Sequence, residues 1–343
     1  MGSSTTRLLH LTDTHIAAHG APHFGVDTCA ALRSVLDRAG RSHPDVVVVS
    51  GDVSDDGSVD SYRRVSAMVR EWADREGASV IWAMGNHDRR SAFRAVLGSQ
   101  PGQPDVLMAR RDHDEDSARV VSSLRESSQS LHEGSESLRE EPVSSLGDFA
   151  QSQPPVFGGL IVNGVEFLVL DTSVPGRGYG HIGSTQLSWL RRRLSARPQI
   201  PAVLVMHHPP IAAATQLLNG LGLDDAQALR DLLRGSRVRL VLSGHYHGLE
   251  VSTICGGITT VVGAPVTAQA DTVGDPNVEV ASRGAGASII DLRIDRACGD
   301  GDVTLKPFTV PDREGEGRVF VLERDEVRRI VERSGVPGFS FAE

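Results

Sequence analysis

Short runs of branched apolar residues alternate along this chain with stretches in which apolar residues recur every three or four positions. Arg7–Thr12, Asp45–Ser50, Ser79–Met84, Ala202–Met206 and Val238–Leu242 are compact apolar runs closed by polar or glycine residues. That is the pattern of strands buried on both faces. Between them, Cys29, Leu32, Val35 and Leu36 keep helical spacing, as do Tyr62, Val65, Met68, Val69 and Trp72, and later Leu187, Leu190 and Leu194. Ala226 to Leu233 predicts one more helix. The resulting β-α-β-α-β order predicts a largely parallel sheet with right-handed crossovers. Asn163-Gly164, set between two apolar runs from Val156 to Asp171, signals a hairpin. Further β-like runs occupy Ala287 to Ile294 and Val303 to Pro307. Val319 to Val331 reads as a strand and a terminal helix. No internal repeat is visible.

The pattern lapses between about Gln100 and Pro155. This stretch is rich in Ser, Glu, Arg and Asp, and its Leu124, Leu131 and Leu138 are too few heptads for a coiled coil. Its composition reads as a polar, solvated and partly disordered insertion. The expected organisation is a main domain over residues 1–310 carrying that insertion at about 100–155, then a strand and helix extension over 311–343.

Charge narrows the partners. The 343 residues include 35 basic and 44 acidic side chains, a formal charge of −9, which gives no electrostatic ground for a general nucleic-acid partner. Cys29, Cys255 and Cys298 are odd in number and lack metal-ligand spacing, so reduced thiols in a cytoplasmic protein are expected. No run is apolar enough to span a membrane, and no apolar signal core follows the start. Met1-Gly2-Ser3-Ser4-Thr5-Thr6 fits the loose myristoylation pattern but reads more simply as a small polar start.

The strand ends change the picture. The apolar runs finish in Asp13-Thr14-His15, Gly51-Asp52, Gly85-Asn86-His87-Asp88, His207-His208 and Gly244-His245-Tyr246-His247. An ionised carboxylate offers two acceptor oxygens, so Asp52 can bridge two cations. Residues two apart in extended chain face the same way, so Asp13 with His15, and His245 with His247, can each present two groups together. Taken singly, Asp13 is a turn cap and Asn86 a loop amide. Together, imidazole nitrogen mixed with carboxylate and amide oxygen suits Mn, Fe or Zn better than a Ca cage or a thiolate site. The set is too large for one tetrahedral site. It suits two ions about 3.5–4 Å apart, the arrangement used for in-line displacement at phosphorus.

His208 alternates away from the His207 side and reads as structural, and Tyr246 as packing behind its neighbours. His19 and His23 lie in the loop after the first motif, within reach of a pocket, but read first as solvated loop residues. His10, His43, His113, His132 and His181 receive no functional reading.

These five motifs, in this order at strand ends, resemble the calcineurin-like metallophosphoesterase family, and within it the bacterial class III 3′,5′-cyclic-nucleotide phosphodiesterases. Asn-His-Asp-Arg-Arg-Ser-Ala-Phe, Leu-Asp-Thr-Ser-Val-Pro-Gly-Arg and Gly-His-Tyr-His carry the narrower resemblance. The family likeness implies a four-layer α/β sandwich, two central mixed sheets flanked by helices with a di-metal site at one rim. It places Asp13, His15, Asp52 and His247 on one ion, and Asp52, Asn86, His207 and His245 on the other. His87 is left to contact phosphate or to protonate a leaving oxygen, with Asp88 orienting it. The implied activity is hydrolysis of a phosphodiester, a cyclic nucleotide such as cyclic AMP, by hydroxide activated at two first-row metal ions. The same centre also serves phosphomonoesterases and other nucleotide hydrolases. A non-catalytic metal-binding interaction protein is the reading from another class, and homodimerisation is left open.

Overall fold

The computed structural model describes residues 3–98, 153–295, 301–311 and 317–341. Its first half follows the expected alternation: β1 (Ser4–Leu11), α1 (Thr28–Ala39), β2 (Val46–Ser50), α2 (Val59–Glu76), β3 (Ser79–Ala83) and α3 (Arg90–Leu97). Every residue of β2 is buried, as four consecutive valines require. The boundaries of α2 are written in its caps. Ser58 accepts a hydrogen bond from the Ser61 amide at the start, and Gly77 closes the helix at φ 74°. Burying Tyr62, Val65, Val69 and Trp72 on its inner face contributes on the order of 1.5–3 kcal/mol for each large apolar side chain.

After residue 153 the chain builds a second sheet. Its elements are β4 (Gly158–Val162), β5 (Val165–Val169), α4 (Gly183–Ala196), β6 (Ala202–Val205), α5 (Gln216–Gly220), α6 (Ala226–Leu233), β7 (Val238–Ser243), β8 (Glu250–Ile254) and β9 (Ile258–Val262). The order is β4-β5-β6-β7-β9-β8, with β5, β6, β7 and β9 parallel and the hairpin strands β4 and β8 antiparallel at the edges. The Asn163-Gly164 hairpin forms as expected, with φ of 52° and 82° at the two turn residues.

Four elements follow: β10 (Ala268–Ala270), β11 (Glu279–Arg283), β12 (Ala285–Ile294) and β13 (Gly301–Val310). β12 returns antiparallel along β1, so the first sheet is mixed and runs β13-β12-β1-β2-β3. Finally β14 (Arg318–Leu322) joins β10 and β11 in a small third sheet, and α7 (Arg324–Ser334) packs Val327 and Val331 against Leu217 of α5.

The alternation within each strand decides the layers. Phe167 and Val169 of β5, Val205 of β6 and Leu242 of β7 face the first sheet and share one core with it and with α1 and α2. Leu168, Leu204 and Val241, one residue out of phase, pack instead on Leu190 and Leu194 of α4 and Leu229 and Leu233 of α6. The result is the expected four-layer α/β sandwich, helices outside and two mixed sheets within. Among the described residues no helix is long and apolar enough to cross a membrane.

The polar segment expected at about 100–155 lies outside the described residues up to residue 152. The chain re-enters beside the helix it left: Arg90 Nη1 donates to Gln153 O at 3.0 Å, and Arg94 Nη2 to Pro155 O at 3.0 Å. Replacing residues 99–152 with a Gly/Ser linker of about ten residues is therefore expected to close without strain, because closure entropy varies slowly with loop length. The shortened chain is expected to melt in one cooperative transition near the parent Tm. A broad, non-cooperative melt would place the segment in the core and refute a domain that merely carries it.

Candidate metal centre and active site

The carboxyl ends of β1, β2, β3, β6 and β7 meet at one rim, and the loops leaving them are knit by backbone hydrogen bonds. Asp13 N donates to Gly51 O at 3.1 Å, His15 N to Asp52 O at 3.0 Å, and Gly244 N to His207 O at 3.0 Å. Asp13, His15, Asp52, His245 and His247 all sit in the left-handed region, with φ between 40° and 72°. The expectation that each pair two apart shares a side through extended backbone is thus corrected: these side chains converge because the strands end in left-handed turns. Such conformations cost about 1–2 kcal/mol per residue, and they persist where the surrounding fold over-determines them. Two glycines make room. A Cβ on Gly51 would overlap the His207 imidazole, and one on Gly85 would overlap the Asp52 carboxylate.

Asp52 is almost fully buried. Its Oδ1 accepts a hydrogen bond from the His87 amide at 2.9 Å. Its Oδ2 lies 3.6 Å from His15 Nε2 and 3.2 Å from His207 Nε2. Asp13, equally buried, accepts from Thr12 Oγ1 at 2.8 Å and from the His245 amide at 3.2 Å, with Oδ1 3.4 Å from His247 Nε2. Among the described residues neither carboxylate has an Arg or Lys partner. Buried charges of this kind are normally paired or bound to metal.

The histidines are turned to serve that need. His207 Nδ1–H donates to Ser50 O at 2.9 Å, His247 Nδ1–H to Ala268 O at 3.0 Å, and His15 Nδ1–H to the Asp55 carboxylate at 3.2 Å. Each therefore keeps an Nε2 lone pair for the centre. His245 is reversed: Nε2–H donates to Leu221 O at 3.0 Å, which frees Nδ1. The Nε2 atoms of His15 and His247 face each other at 3.3 Å, where two lone pairs repel and a cation would be held. Asn86 Oδ1 and His207 Nε2 are buried without a hydrogen-bond partner. Ligand-bearing atoms gather as Asp13/His15/His247 and as Asp13/Asp52/His207, with His245 beside His207. The donor set fits metal ions.

Electrostatics agree. Burial pushes His15 down to about 4 despite Asp55, and drives His245 well below the usual imidazole range, helped by His208 and His207. Both are thus the neutral species that ligates. His207 moves the other way: burial lowers it, but Asp52 and Asp13 outweigh that and raise it to about 9. The field that favours a proton there favours a metal cation equally.

His87 sits on the open side, its side chain 39% exposed. The expectation that Asp88 orients it is corrected. Asp88 is buried and accepts from the amides of Val53, Ser54 and Gly85 and from Tyr62 Oη, at 3.2, 3.0, 2.8 and 2.8 Å. It ties the Asp52 loop to the Asn86 loop, and burial together with Asp52 raises it to about 6. The partner of His87 is Asp55, whose Oδ1 lies 3.3 Å from His87 Nδ1, 3.2 Å from His15 Nδ1 and 3.0 Å from His23 Nδ1. Burial lowers His87, but Asp52 and Asp55 outweigh it and raise it to about 10.

Asp55 went unseen in the sequence because Asp55-Asp56-Gly57 reads as a turn, the role Asp56 indeed plays by accepting from the Ser58 and Ala18 amides. The only signal was a second carboxylate three residues after Asp52. His23, expected to be solvated, is stacked on His15 at 4.3 Å instead, whereas His19 is exposed as expected. His208 has both ring nitrogens occupied, Nδ1 by Thr172 Oγ1 at 2.7 Å and Nε2–H by Gly178 O at 3.1 Å, which suits a structural role. Tyr246 packs behind the centre and donates to Ile211 O at 2.7 Å.

The profile of the calcineurin-like phosphoesterase family matches residues 6–249. A probable cyclic nucleotide phosphodiesterase from Rhodococcus erythropolis is 33% identical over 275 residues, covering 80% of this chain and 73% of that protein. A cAMP/cGMP dual specificity phosphodiesterase from Mycobacterium tuberculosis is 29% identical over 332 residues, covering 96% and 86%. A 3′,5′-cyclic adenosine monophosphate phosphodiesterase from Pseudomonas aeruginosa is 29% identical over 245 residues, covering 70% and 69%.

Two substitutions test the centre by metal content. Asp52→Ala is expected to lower bound Mn at both positions, read by elemental analysis after dialysis; two ions retained per chain would refute the bridge. Asp55→Asn is expected to keep the stoichiometry but weaken metal affinity roughly 10–100-fold, because it orients His15 from behind.

Proposed function

This chain belongs to the calcineurin-like phosphoesterase family, and we propose that within it the protein is a metal-dependent phosphodiesterase acting on a 3′,5′-cyclic nucleotide, cyclic AMP foremost. The observation that carries the metal-dependent reading is the Asp52 Oδ2 atom, set between His15 Nε2 and His207 Nε2 without a basic side chain among the described residues to neutralise it. The substrate reading rests on the relatives, which are named for cyclic nucleotides.

Asp13, His15, Asp52 and His247 hold one ion in this reading, and Asp52, Asn86, His207 and His245 the other. Bound there, a metal pair of the Mn, Fe or Zn type neutralises phosphate charge and makes a hydroxide available near neutral pH. The chain itself supplies position and proton. The amides and hydroxyls that grip Asp13 and Asp52 fix the carboxylates before substrate arrives, so little reorganisation is needed during reaction. Asp55 holds His87 by Nδ1, which leaves Nε2 to donate. From there it hands a proton to the ribose oxygen as the phosphorus–oxygen bond breaks.

His87→Ala is expected to leave metal content near that of the parent and to slow turnover of cyclic AMP by roughly 100-fold or more. Loss of metal equal to that of His207→Ala would make His87 a ligand instead. The substrate class is tested with cyclic AMP, cyclic GMP, 2′,3′-cyclic nucleotides, bis-p-nitrophenyl phosphate and monoesters, each with Mn, Fe and Zn. The fastest kcat/KM is expected on a 3′,5′-cyclic nucleotide. Preference for monoesters would overturn the substrate, and no turnover of any ester by metal-loaded protein would overturn the enzyme.

A further inference from the structure

A nucleotide bound by its phosphate at this centre must leave its sugar and base on the open side. His15, His207 and His245 are buried, so that side is marked by His87 and by His247, whose side chain is 23% exposed. Rings run continuously outward from the buried His15. His87 stands edge-on to His15 at 4.7 Å, His23 stacks on His15 at 4.3 Å, and Phe24 stands edge-on to His23 at 4.5 Å. Phe320 of β14 then backs Phe24 at 5.1 Å.

Phe24 is the anomaly in that run. It is 62% exposed, the one exposed Phe, Tyr or Trp among the described residues, in a chain in which these three make up only 4%. Its backbone is left-handed, with φ 46°, a costly conformation for a bulky residue that burial does not repay here. The turn around it is nonetheless held firmly. His23 and Val26 exchange backbone hydrogen bonds of 3.0 and 2.9 Å, and Arg283 Nη2 donates to Gly25 O at 3.2 Å. Folding alone does not explain a strained, well-anchored, solvent-facing phenyl ring at the mouth of a metal centre.

We infer that Phe24, backed by Phe320, is the platform on which the base of the nucleotide stacks, an inference that rests on the phosphodiesterase reading above. The placement fits the ligand: phosphate among the carboxylates and imidazoles, ribose past His87 and His23, base on the exposed ring. A phenyl face binds a base through its π-surface and reads no hydrogen-bond pattern. Stacking on Phe24 therefore favours purines over pyrimidines by area, and separates adenine from guanine only weakly.

The test compares the parent with Phe24→Ala, Phe24→Leu and Phe24→Trp in the full metal-loaded chain. The substrates are cyclic AMP and the methyl riboside 3′,5′-cyclic phosphate, which lacks a base. Phe24→Ala is expected to raise the KM for cyclic AMP roughly tenfold with a smaller change in kcat, and to shrink the preference for cyclic AMP over the base-less ester by a similar factor. Phe24→Leu, which keeps apolar bulk without a π-face, is expected to resemble Ala, and Phe24→Trp to restore the low KM. An unchanged KM for cyclic AMP, or equal losses on both substrates, would overturn the stacking role while leaving the phosphodiesterase reading intact. A parent enzyme that hydrolyses simple diesters but no cyclic nucleotide would overturn both.

Discussion

Asp52 is a buried carboxylate at the point where the loops after β1, β2, β3 and β6 meet, and its two oxygens are engaged differently. One is held by the His87 amide. The other is left between two imidazole nitrogens. An acceptor held in this way, with Asp13 nearby and no basic side chain at hand among the described residues, is a standing demand for positive charge in a low-dielectric place. Much of the local structure answers it. Carbonyl and carboxylate oxygens behind the histidines select the tautomers that point lone pairs inward, and the Gly85 backbone passes too close to Asp52 to carry a side chain.

The cost of this arrangement falls on the backbone. Five residues of the centre are left-handed, and no isolated loop would hold them so. They are sustained by strands whose valines and leucines are buried on both faces, and by Asp88, which ties the Asp52 loop to the Asn86 loop through three amides and a tyrosine hydroxyl. Stability and site geometry are therefore linked through a residue outside the candidate donor set. The apolar sandwich anchors the ends of the loops, and Asp88 sets the distance between them.

A second carboxylate organises the outer side. Asp55 meets three imidazoles with one oxygen, so His15 on the inside and His87 at the opening share a support. His23 joins the same group and extends it toward Phe24. The candidate donor Asp52 and the carboxylate that supports His15, His23 and His87 thus come from one loop of five residues, from Gly51 to Asp55, which β2 delivers to the rim.

The strands, the helices and the motifs at strand ends were legible in the sequence because burial is periodic. A strand covered on both faces needs consecutive branched residues and an amphipathic helix needs apolar residues every three or four positions, and both patterns are local. The residues that converge at the rim could be named for the same reason, since each follows directly from such a run. What each side chain touches was not legible. Asp55 and Asp56 are adjacent and chemically identical, yet one supports three histidines and the other closes a turn. Asp88 follows His87 directly and still turns away from it. Nothing local announces that β12 pairs with β1, or that Phe320 lies against Phe24. These choices depend on which loops the packed sheets bring together and on which donors remain unsatisfied there, and only the tertiary structure settles both.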